Sequence, residues 1–378
     1  MTGVIWAAAL CLVTTAVHVL SIVVAMIRCR ADAGRLPPPP GAPPVSLLRP
    51  VCGIDNYAEE TLRSAFRLDY PDYEIILCVA QARDPVVPLI ERLIADHPGV
   101  PARLLIGDER ISLNPKLNNL VKGWPAVSRE WVVIADSNVL MPADYIQRLL
   151  AAWRSDTGLV CSPPAGGEPA GFWAELECAF LNTYQARWQY FADRIGLGFA
   201  QGKTMLWRRT DLDRAGGMRA LAAEPAEDAA ATKVVRRAGL RVRLVDAPFA
   251  QPLGRRGAAE VWRRQVRWAR LRRVTFRWYF LPELLGGSVP PLVAAGCAAV
   301  ALGIDPLVML AALAGIWYGS EAALAHAAGW QLSWRTPFAW MLRDVLLPCL
   351  WIKAWLGSSF EWRGNHMRVQ ESRATSIG

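Results

Sequence analysis

The stretch EWVVIADSN, residues 130–138, joins a strongly apolar run to a carboxylate. A short, bounded apolar run of this kind is typical of a strand buried in a parallel sheet. Asp136 closes the run, and Asn138 follows two residues later. Ligands of open α/β sheets bind beyond the carboxyl ends of the strands. We therefore expect Asp136 and Asn138 at a ligand-binding edge of the sheet.

Three more apolar runs precede this stretch and alternate with helical patterns. The runs predict strands at VSLLRPVC (45–52), YEIILCVA (73–80) and RLLIG (103–107). Helices are predicted at AEETLRSAFRL (58–68), DPVVPLIERLIADH (84–97) and PADYIQRLLAAWR (142–154), the last with Pro142 in its first turn. Alternating strands and helices indicate a parallel sheet with right-handed crossovers.

Further polar positions follow these strands. Asp84 comes shortly after the strand at 73–80 and is either a cap of the next helix or a ligand contact. The segment NPKLNNL (114–120) carries Lys116 and Asn119, either as a polar loop leading into a helix or as hydrogen-bonding groups around a nucleotide sugar. No GxGxxG or GxxxxGK[ST] motif follows the strands, which argues against dinucleotide redox chemistry and P-loop hydrolysis.

An acidic cluster opens the segment AEPAEDAAATKVVRRAGLRVRLVD (223–246), which predicts a helix followed by a strand. Glu227 and Asp228 lie at the predicted helix N-terminus, where the helix dipole stabilises negative charge. The alternative is that Asp228 faces the cleft as a general base, with Glu224 as the second candidate.

The residues available for metal binding favour a hard cation. Eight cysteines without a CxxC pair and four scattered histidines argue against zinc. Oxygen ligands remain, and these suit Mg²⁺ or Mn²⁺. Asp136 and Asn138 form a D-x-N pair able to hold such a cation on a diphosphate.

The composition indicates membrane segments attached to a folded part, because 53% of residues are hydrophobic and 20% are charged. Residues 4–27 contain no charged side chain and are long enough to cross a bilayer. Arg28 and Arg30 follow, so the positive-inside rule puts the next residues in the cytoplasm. The same asymmetry argues against a cleaved signal peptide.

A second apolar zone occupies residues 280–357. It predicts spans at 284–304 and 306–328. Glu321 within the second span is costly unless it faces protein or a lipid headgroup. The segment 338–356 contains charges and tryptophans, which predict an interfacial or re-entrant helix.

The stretch RRQVRWARLRR (263–273) is rich in arginine. On a helix, Arg264, Arg267 and Trp268 share one face, where two guanidinium groups could grip a diphosphate. The other arginines are expected to face anionic headgroups; they are Arg263, Arg270, Arg272 and Arg273. A nucleic-acid partner would require a wider basic surface with a reading element, so none is expected.

Taken together, the sequence resembles the ceramide glucosyltransferase family of membrane-bound glycosyltransferase-A enzymes. The matching pieces are VSLLRPVCGIDN, LDYPDYEIILCV followed by Asp84, RLLIGDERISLNPKLNNL, ADSN at Asp136, AEDAAATK at Asp228 and RQVRW at 264–268. The resemblance implies an α/β, Rossmann-like nucleotide-diphospho-sugar transferase domain with one N-terminal and two to three C-terminal membrane helices. The expected boundaries are an anchor at 1–30, a proline-rich linker at 31–44, the catalytic domain at 45–279, membrane or interfacial helices at 280–357 and a polar tail at 358–378.

The resemblance also implies residue roles. Asp228 would be the catalytic base toward the acceptor hydroxyl, and Asp84 would contact the nucleotide. Asp136 would hold the divalent cation on the diphosphate, although Asn138 stands where many relatives of the wider superfamily carry a second Asp. The RxxRW element beside the diphosphate and acceptor would consist of Arg264, Arg267 and Trp268. Lys116 and Asn119 are expected to bind the nucleotide sugar.

The activity expected from these roles is sugar transfer with inversion, because the motifs supply one base and no second carboxylate as a covalent nucleophile. The stretches DSNVLMP, FLNTYQARWQY and AQGKTMLWRR look most like the bacterial hopanoid-associated branch. That branch implies transfer of N-acetylglucosamine from UDP-N-acetylglucosamine to a hopanoid polyol (bacteriohopanetetrol), by a multi-pass inner-membrane enzyme with its catalytic domain in the cytoplasm. Ceramide glucosylation from UDP-glucose is the alternative; a polysaccharide synthase and a non-catalytic membrane scaffold are two more. The aromatic segment 171–191 is expected to bracket the lipid, and the sequence does not indicate an oligomeric state.

Overall fold

A computed structural model describes residues 2–30, 34–357, 359–362 and 365–368. Residues 31–33 of the predicted linker and most of the predicted tail at 358–378 lie outside this description. The strands are β1 (Val45–Val51), β2 (Tyr73–Val79), β3 (Ala102–Ile106), β4 (Trp131–Ala135), β5 (Thr157–Cys161), β6 (Ala165–Ala170), β7 (Thr204–Arg208), β8 (Arg241–Leu244), β9 (Ala250–Arg255), β10 (Ser359–Trp362) and β11 (Asn365–Arg368).

The helices alternate with these strands and then follow one another near the C-terminus. They are α1 (Thr2–Arg28), α2 (Ala58–Ser64), α3 (Val87–Asp96), α4 (Pro115–Leu120), α5 (Tyr145–Ala151), α6 (Phe172–Ala179), α7 (Arg187–Arg194), α8 (Arg209–Arg214), α9 (Met218–Leu221), α10 (Glu227–Arg237), α11 (Ala258–Thr275), α12 (Arg277–Phe280), α13 (Val289–Leu302), α14 (Pro306–Ala327) and α15 (Thr336–Trp355). A π-helix, Phe180–Ala186, joins α6 to α7.

The described chain forms two compact units. The sheet unit comprises residues 34–168 and 192–254, and the helical unit comprises residues 2–30, 169–191, 255–357, 359–362 and 365–368.

The sheet unit contains a seven-stranded sheet in the order β3-β2-β1-β4-β7-β5-β8. Strand β1 pairs in parallel with β2 and β4, so Val45 stands opposite both Tyr73 and Trp131. The four strands predicted from apolar runs are confirmed, and their side chains fill the core with valine, leucine and isoleucine. This sheet positions the residues that follow β1, β2 and β4 at one edge, since parallel strands end on the same side.

The parallel pairing predicted for these four strands is confirmed, since β1 pairs in parallel with β2 and β4, and β2 pairs in parallel with β3. A later strand that the sequence did not predict, β7, runs antiparallel to both β4 and β5. Residues 169–191, between β5 and β7, belong to the helical unit, so no single crossover helix links these strands. The helix predicted from Pro142 begins only at Tyr145, whose backbone N–H donates to the Pro142 carbonyl in the turn before it.

The helical unit contains helices that can cross a membrane. Within the described residues, α1 and α14 are long and apolar enough, and α12–α13 would add a third span if its two parts, bent by 45°, are counted as one. The span predicted at 284–304 is bent in the structure, because α13 begins at Val289 after the bend. Pro290 and Pro291 lie in its first turn, where a missing N–H costs nothing.

The Glu321 carboxylate in α14 is fully buried against protein. The Arg343 guanidinium in α15 donates to both of its oxygens, at 2.8 and 3.0 Å, and also to the Thr183 hydroxyl of the π-helix at 2.7 Å. The same guanidinium forms an ion pair with the Asp344 carboxylate at 2.8 Å. The cost of a carboxylate inside an apolar helix is thus offset by a paired cation.

Candidate active site

Four segments of the sheet unit meet at the end of β4. Asp136 follows β4 and its backbone N–H donates to the Lys203 carbonyl, directly before β7, at 3.0 Å. Lys116 lies in the first turn of α4, which Asn114 caps by accepting from the Lys116 N–H at 2.9 Å. Glu227 and Asp228 form the first turn of α10. The structure therefore brings together Asp136, Lys116 and Asp228, which are far apart along the chain.

Lysine ammonium groups link the carboxylates of this site. Lys116 Nζ lies 2.7 Å from Asp136 Oδ1 and 2.6 Å from Glu227 Oε1. Lys203 Nζ lies 3.2 Å from Asp136 Oδ2 and 3.4 Å from Asn138 Oδ1. Burial alone would raise the pKa of Asp136, but the two ammonium groups outweigh it and hold that pKa at about 2. Asp136 is therefore an anion at every physiological pH.

The environment of Asp228 shifts its pKa in the opposite direction to that of Asp136. Its carboxylate accepts from the Gly202 N–H at 3.2 Å and from the Ala229 N–H at 2.8 Å. Burial first, and the neighbouring Glu227 carboxylate second, raise the pKa of Asp228 to about 7 against the opposing effect of Lys116. A carboxyl group that gains and loses a proton near neutral pH can act as a general base.

Gly202 allows the carboxylates to approach the backbone. A Cβ at this position would lie 2.6 Å from Glu227 Oε1 and 3.4 Å from Lys116 Nζ. Any side chain would therefore displace the Lys116–Glu227 pair, while the Gly202 carbonyl itself accepts from Lys116 Nζ at 2.6 Å.

Sequence reasoning missed several residues that build this site. The sequence placed Glu227 only at a helix N-terminus. Its pairing with Lys116, and the roles of Lys203 and Gly202, come from the approach of β7 and α10 to β4, which no local pattern shows. Arg49, buried in β1, donates to the carbonyls of Asp136 at 3.0 Å, Ser137 at 3.1 Å and Val139 at 3.3 Å. An arginine inside an apolar strand was the available signal, because a buried guanidinium requires several acceptors.

The oxygen donors of the site fit a cation that arrives with a diphosphate. Asp136 offers a carboxylate and Asn138 an amide oxygen. In the structure, Lys116 contacts the first and Lys203 contacts the second. Among the described residues no group of three or more His, Cys, Asp and Glu side chains could hold a metal ion. Mg²⁺ commonly binds through one or two carboxylates together with substrate phosphates, which matches this small donor set.

Two predicted nucleotide-sugar ligands are engaged in local structure. Asp84 accepts from the Val86 N–H at 2.9 Å, in the turn before α3, and from the Gly53 N–H at 3.0 Å. The buried Asn119 amide donates to the Cys78 carbonyl at 2.7 Å and accepts from Lys122 at 2.5 Å. Asn119 thus holds the ends of the strands together, and its contact with the donor stays a prediction.

The predicted RxxRW residues lie on α11 of the helical unit. Arg264 forms ion pairs with the buried Glu177 and, at 3.3 Å, with Glu260. Trp268 is half-buried, and the roles of Arg267 and Trp268 stay predictions.

The prediction that the remaining arginines face headgroups is wrong for two of them. Arg272 binds Glu283 through two hydrogen bonds of 2.7 and 2.8 Å. Arg273 is buried and its guanidinium carbon lies 5.4 Å from the centre of the Trp355 ring. These partners come from segments far enough along the chain that the local sequence did not indicate them.

Two ceramide glucosyltransferases of Caenorhabditis elegans are similar in sequence to most of this chain. Ceramide glucosyltransferase 1 of Caenorhabditis elegans is 26% identical over 368 residues, covering 93% of this chain and 77% of that protein. Ceramide glucosyltransferase 3 of the same organism is 25% identical, covering 85% of this chain and 72% of that protein. The ceramide glucosyltransferase of Komagataella phaffii is 34% identical over 223 residues, which are 51% of this chain and 42% of that protein.

Among solved structures, the mannosyltransferase PcManGT from Pyrobaculum calidifontis, in complex with GDP-Man and Mn²⁺, is similar at 20% identity with a TM-score of 0.49. The match covers 92% of this chain and 97% of that one. The profile of glycosyl transferase family 21 matches residues 13–375. The predicted fold class and enzyme class are confirmed: the chain belongs to glycosyl transferase family 21, and it is a glycosyltransferase.

Proposed function

We propose that the protein moves a sugar from a UDP-sugar to a hydroxyl group of a membrane lipid. The observation that carries this proposal is the site at the end of β4, where Asp228, with a pKa near 7, lies in one cluster with two lysines and the permanently ionised Asp136. Helices able to cross a membrane belong to the same chain, which suits a lipid acceptor. By the positive-inside rule, Arg28 and Arg30 favour a cytoplasmic catalytic site at the inner membrane.

The reaction requires one proton acceptor and a neutralised leaving group. Asp228 takes the proton of the lipid hydroxyl. The hydroxyl oxygen bonds to the anomeric carbon of the sugar as the bond from that carbon to the UDP diphosphate breaks. Lys116 and Lys203 supply positive charge for the departing diphosphate. Glu227 is held by Lys116 and by the Asn114 amide, at 2.7 Å, which fits a single displacement with inversion rather than a covalent glycosyl-enzyme.

A Mg²⁺ or Mn²⁺ ion brought with the diphosphate would be held by Asp136 and Asn138. When bound, such an ion would add Lewis-acid stabilisation of the leaving group.

The acceptor favoured by the relatives is ceramide, with UDP-glucose as donor. The relatives described above are named ceramide glucosyltransferases, whereas the predicted hopanoid polyol and N-acetylglucosamine rest on short motif similarities alone. Glucosylation of ceramide is therefore the proposed reaction, ahead of the transfer of N-acetylglucosamine to a hopanoid polyol.

The test is transfer by the full chain in lipid nanodiscs. Radiolabelled UDP-glucose and UDP-N-acetylglucosamine are each supplied with ceramide or with a hopanoid polyol, and the products are identified by mass spectrometry and by NMR of the anomeric proton. We expect a β-linked glucosylceramide from the α-linked donor. Absence of any sugar-labelled lipid with every pair would refute the lipid-transfer proposal; a retained anomeric configuration would refute the single displacement.

A further inference from the structure

Arg49 is an arginine within the seven-stranded sheet, and its whole side chain is buried. It lies in β1, which has β2 on one side and β4 on the other, and it is 0% exposed. A guanidinium in such surroundings is unfavourable unless its N–H groups find acceptors. The acceptors that Arg49 binds therefore indicate what this side chain does.

The acceptors of Arg49 are backbone carbonyls, and three of them belong to the segment that follows β4. Arg49 Nη2 donates to the carbonyl oxygens of Asp136 at 3.0 Å, Ser137 at 3.1 Å and Val139 at 3.3 Å. Arg49 Nη1 donates to the Thr61 carbonyl of α2 at 2.9 Å. The guanidinium thus joins α2 to the turn that carries the site.

The backbone pairing of β1 with β4 stops just before this turn. It ends with Leu48 opposite Ile134, although β1 itself continues to Val51. Beyond that pair the two backbones no longer form a ladder, and buried carbonyl groups need other donors. Arg49, the next side chain of β1, supplies such donors.

The N–H groups of the same turn are bound by other elements. The Asp136 N–H donates to the Lys203 carbonyl at 3.0 Å, and the Leu140 N–H donates to the Ala250 carbonyl at 2.9 Å. With N–H groups bound by these carbonyls and carbonyl groups bound by Arg49, the backbone of the turn is held from two directions.

The path of this turn decides where two polar side chains meet. Lys203 Nζ lies 3.2 Å from Asp136 Oδ2 and 3.4 Å from Asn138 Oδ1. Asn138 stands between Ser137 and Val139, whose carbonyls Arg49 binds. Loss of the guanidinium would therefore change the path of the backbone as well as the local charge.

We propose that Arg49 is a positioning residue for the donor diphosphate: it fixes the turn that brings the Asp136 carboxylate and the Asn138 amide together at Lys203. The inference rests on the proposed function, in which these side chains meet the diphosphate and its cation. Groups that orient the ligands of such a site contribute about 10- to 100-fold to affinity or activity. Arg49 acts through Asp136 and Asn138 and does not itself contact the donor.

The experiment measures transfer in lipid nanodiscs by wild type, Arg49→Met and Arg49→Lys, with UDP-glucose and ceramide titrated separately. Arg49→Met should raise the donor KM about tenfold or more and leave the acceptor KM as in wild type. Arg49→Lys should raise the donor KM less, because one ammonium can bind some of the carbonyls that two guanidinium nitrogens bind.

Arg209→Met is the matched control. The Arg209 guanidinium also donates to a backbone carbonyl, that of Val127, at 2.6 Å, but Arg209 follows β7 whereas Lys203 precedes it. Both KM values should stay as in wild type. Loss of folded protein lowers only the apparent kcat, so an unchanged donor KM in both Arg49 variants, or an equal rise of donor and acceptor KM, would overturn the positioning role.

A second measurement needs no substrate and keeps the positive charge. Hydrogen exchange followed by mass spectrometry should show peptides that cover residues 136–141 exchanging about tenfold faster in Arg49→Lys than in wild type, with peptides of β2 unchanged. Wild-type exchange at 136–141, or equally faster exchange throughout the sheet, would overturn the role of Arg49 while lipid glycosylation stands. Absence of transfer to any lipid by wild type would instead overturn the proposed function, and the exchange rates would still decide whether Arg49 holds the turn.

Discussion

Each unit of the protein contains a buried ionic cluster, and the two clusters differ in how their charges are balanced. In the helical unit, Arg343 is bound by Glu321, Asp344 and Thr183, and all four side chains are buried. In the sheet unit, Asp136 is partly exposed and lysine-bound, while Asp228 shares its environment with a second carboxylate.

This difference in charge balance indicates that the Arg343 cluster is structural, whereas the cluster of Asp136 and Asp228 is suited to chemistry. A buried cation whose donors all have acceptors holds helices together, and moving it would leave charges unpaired. A carboxyl group whose proton affinity is raised to neutral pH is unfavourable for stability and useful for proton transfer. Burial of charge alone would not have distinguished the two sites.

The largest effect is expected from Asp228→Asn, which removes the proposed base without changing the shape of the side chain. Lipid glycosylation should fall 10²- to 10⁴-fold, about 3–5 kcal/mol of transition-state stabilisation. The rate is measured in nanodiscs under donor saturation. Asp96→Asn, at a carboxylate on the exposed end of α3, is the control and should keep wild-type turnover. Full turnover by Asp228→Asn would remove Asp228 from the mechanism.

Arg343→Met tests the structural cluster. It leaves Glu321 and Asp344 buried without their cation, so the free energy of unfolding should fall by about 3–5 kcal/mol. Chemical unfolding in detergent measures this loss, and the double variant Glu321→Leu with Arg343→Met should recover part of it. Arg335→Met, at a more exposed arginine 3.9 Å from Glu175, should cost less than about 1 kcal/mol. An unchanged unfolding midpoint in Arg343→Met would contradict the structural role.

Much of the sheet was predictable because its strands are continuous apolar runs that end in polar residues. The runs at β1, β2, β3 and β4 are of this kind, and their ends were located to within about two residues. The antiparallel β7 was not predictable in the same way. Its direction depends on where the intervening residues fold, and these belong to the other unit.

The site was predictable where chemistry coincides with an element boundary. Asp136 follows a strand and Asp228 begins a helix, positions at which a carboxylate is expected to meet a ligand. Arg49 lies within a strand and not at its end, and Lys203 precedes β7, a strand that no apolar run predicted. Their roles come from pairing across the sheet, which is a tertiary property.

Lys116→Met tests whether the lysines serve the leaving group. The change leaves Asp136 with one ammonium partner and Glu227 with none, so the site becomes more negative where a diphosphate must bind. We expect kcat/KM for the UDP-sugar to fall about 10- to 100-fold, in line with the loss of charge-assisted hydrogen bonds. Lys233→Met is the control, because Lys233 lies on α10 and pairs with Glu224 at 2.6 Å. Equal losses in both variants would show a general charge effect and not a role at the donor.

The smallest and most specific change is expected in the pH profile of Glu227→Gln. Asp228 accepts a proton only when ionised, so the wild-type rate should rise as pH increases through about 7 and become level above it. Burial is the main cause of this raised pKa and Glu227 the second, whereas Lys116 opposes both. Removing the Glu227 charge should therefore move the inflection to lower pH, by about one unit.

Glu224→Gln provides the comparison for this profile, because Glu224 is buried nearby along the chain but is neutralised by Lys233. Its inflection should stay near pH 7. If Glu224→Gln moved the inflection and Glu227→Gln did not, Glu224 would be the base, as the sequence alone allowed. If neither did, the inflection would belong to a group outside this cluster, and the raised proton affinity of Asp228 would have no part in the rate.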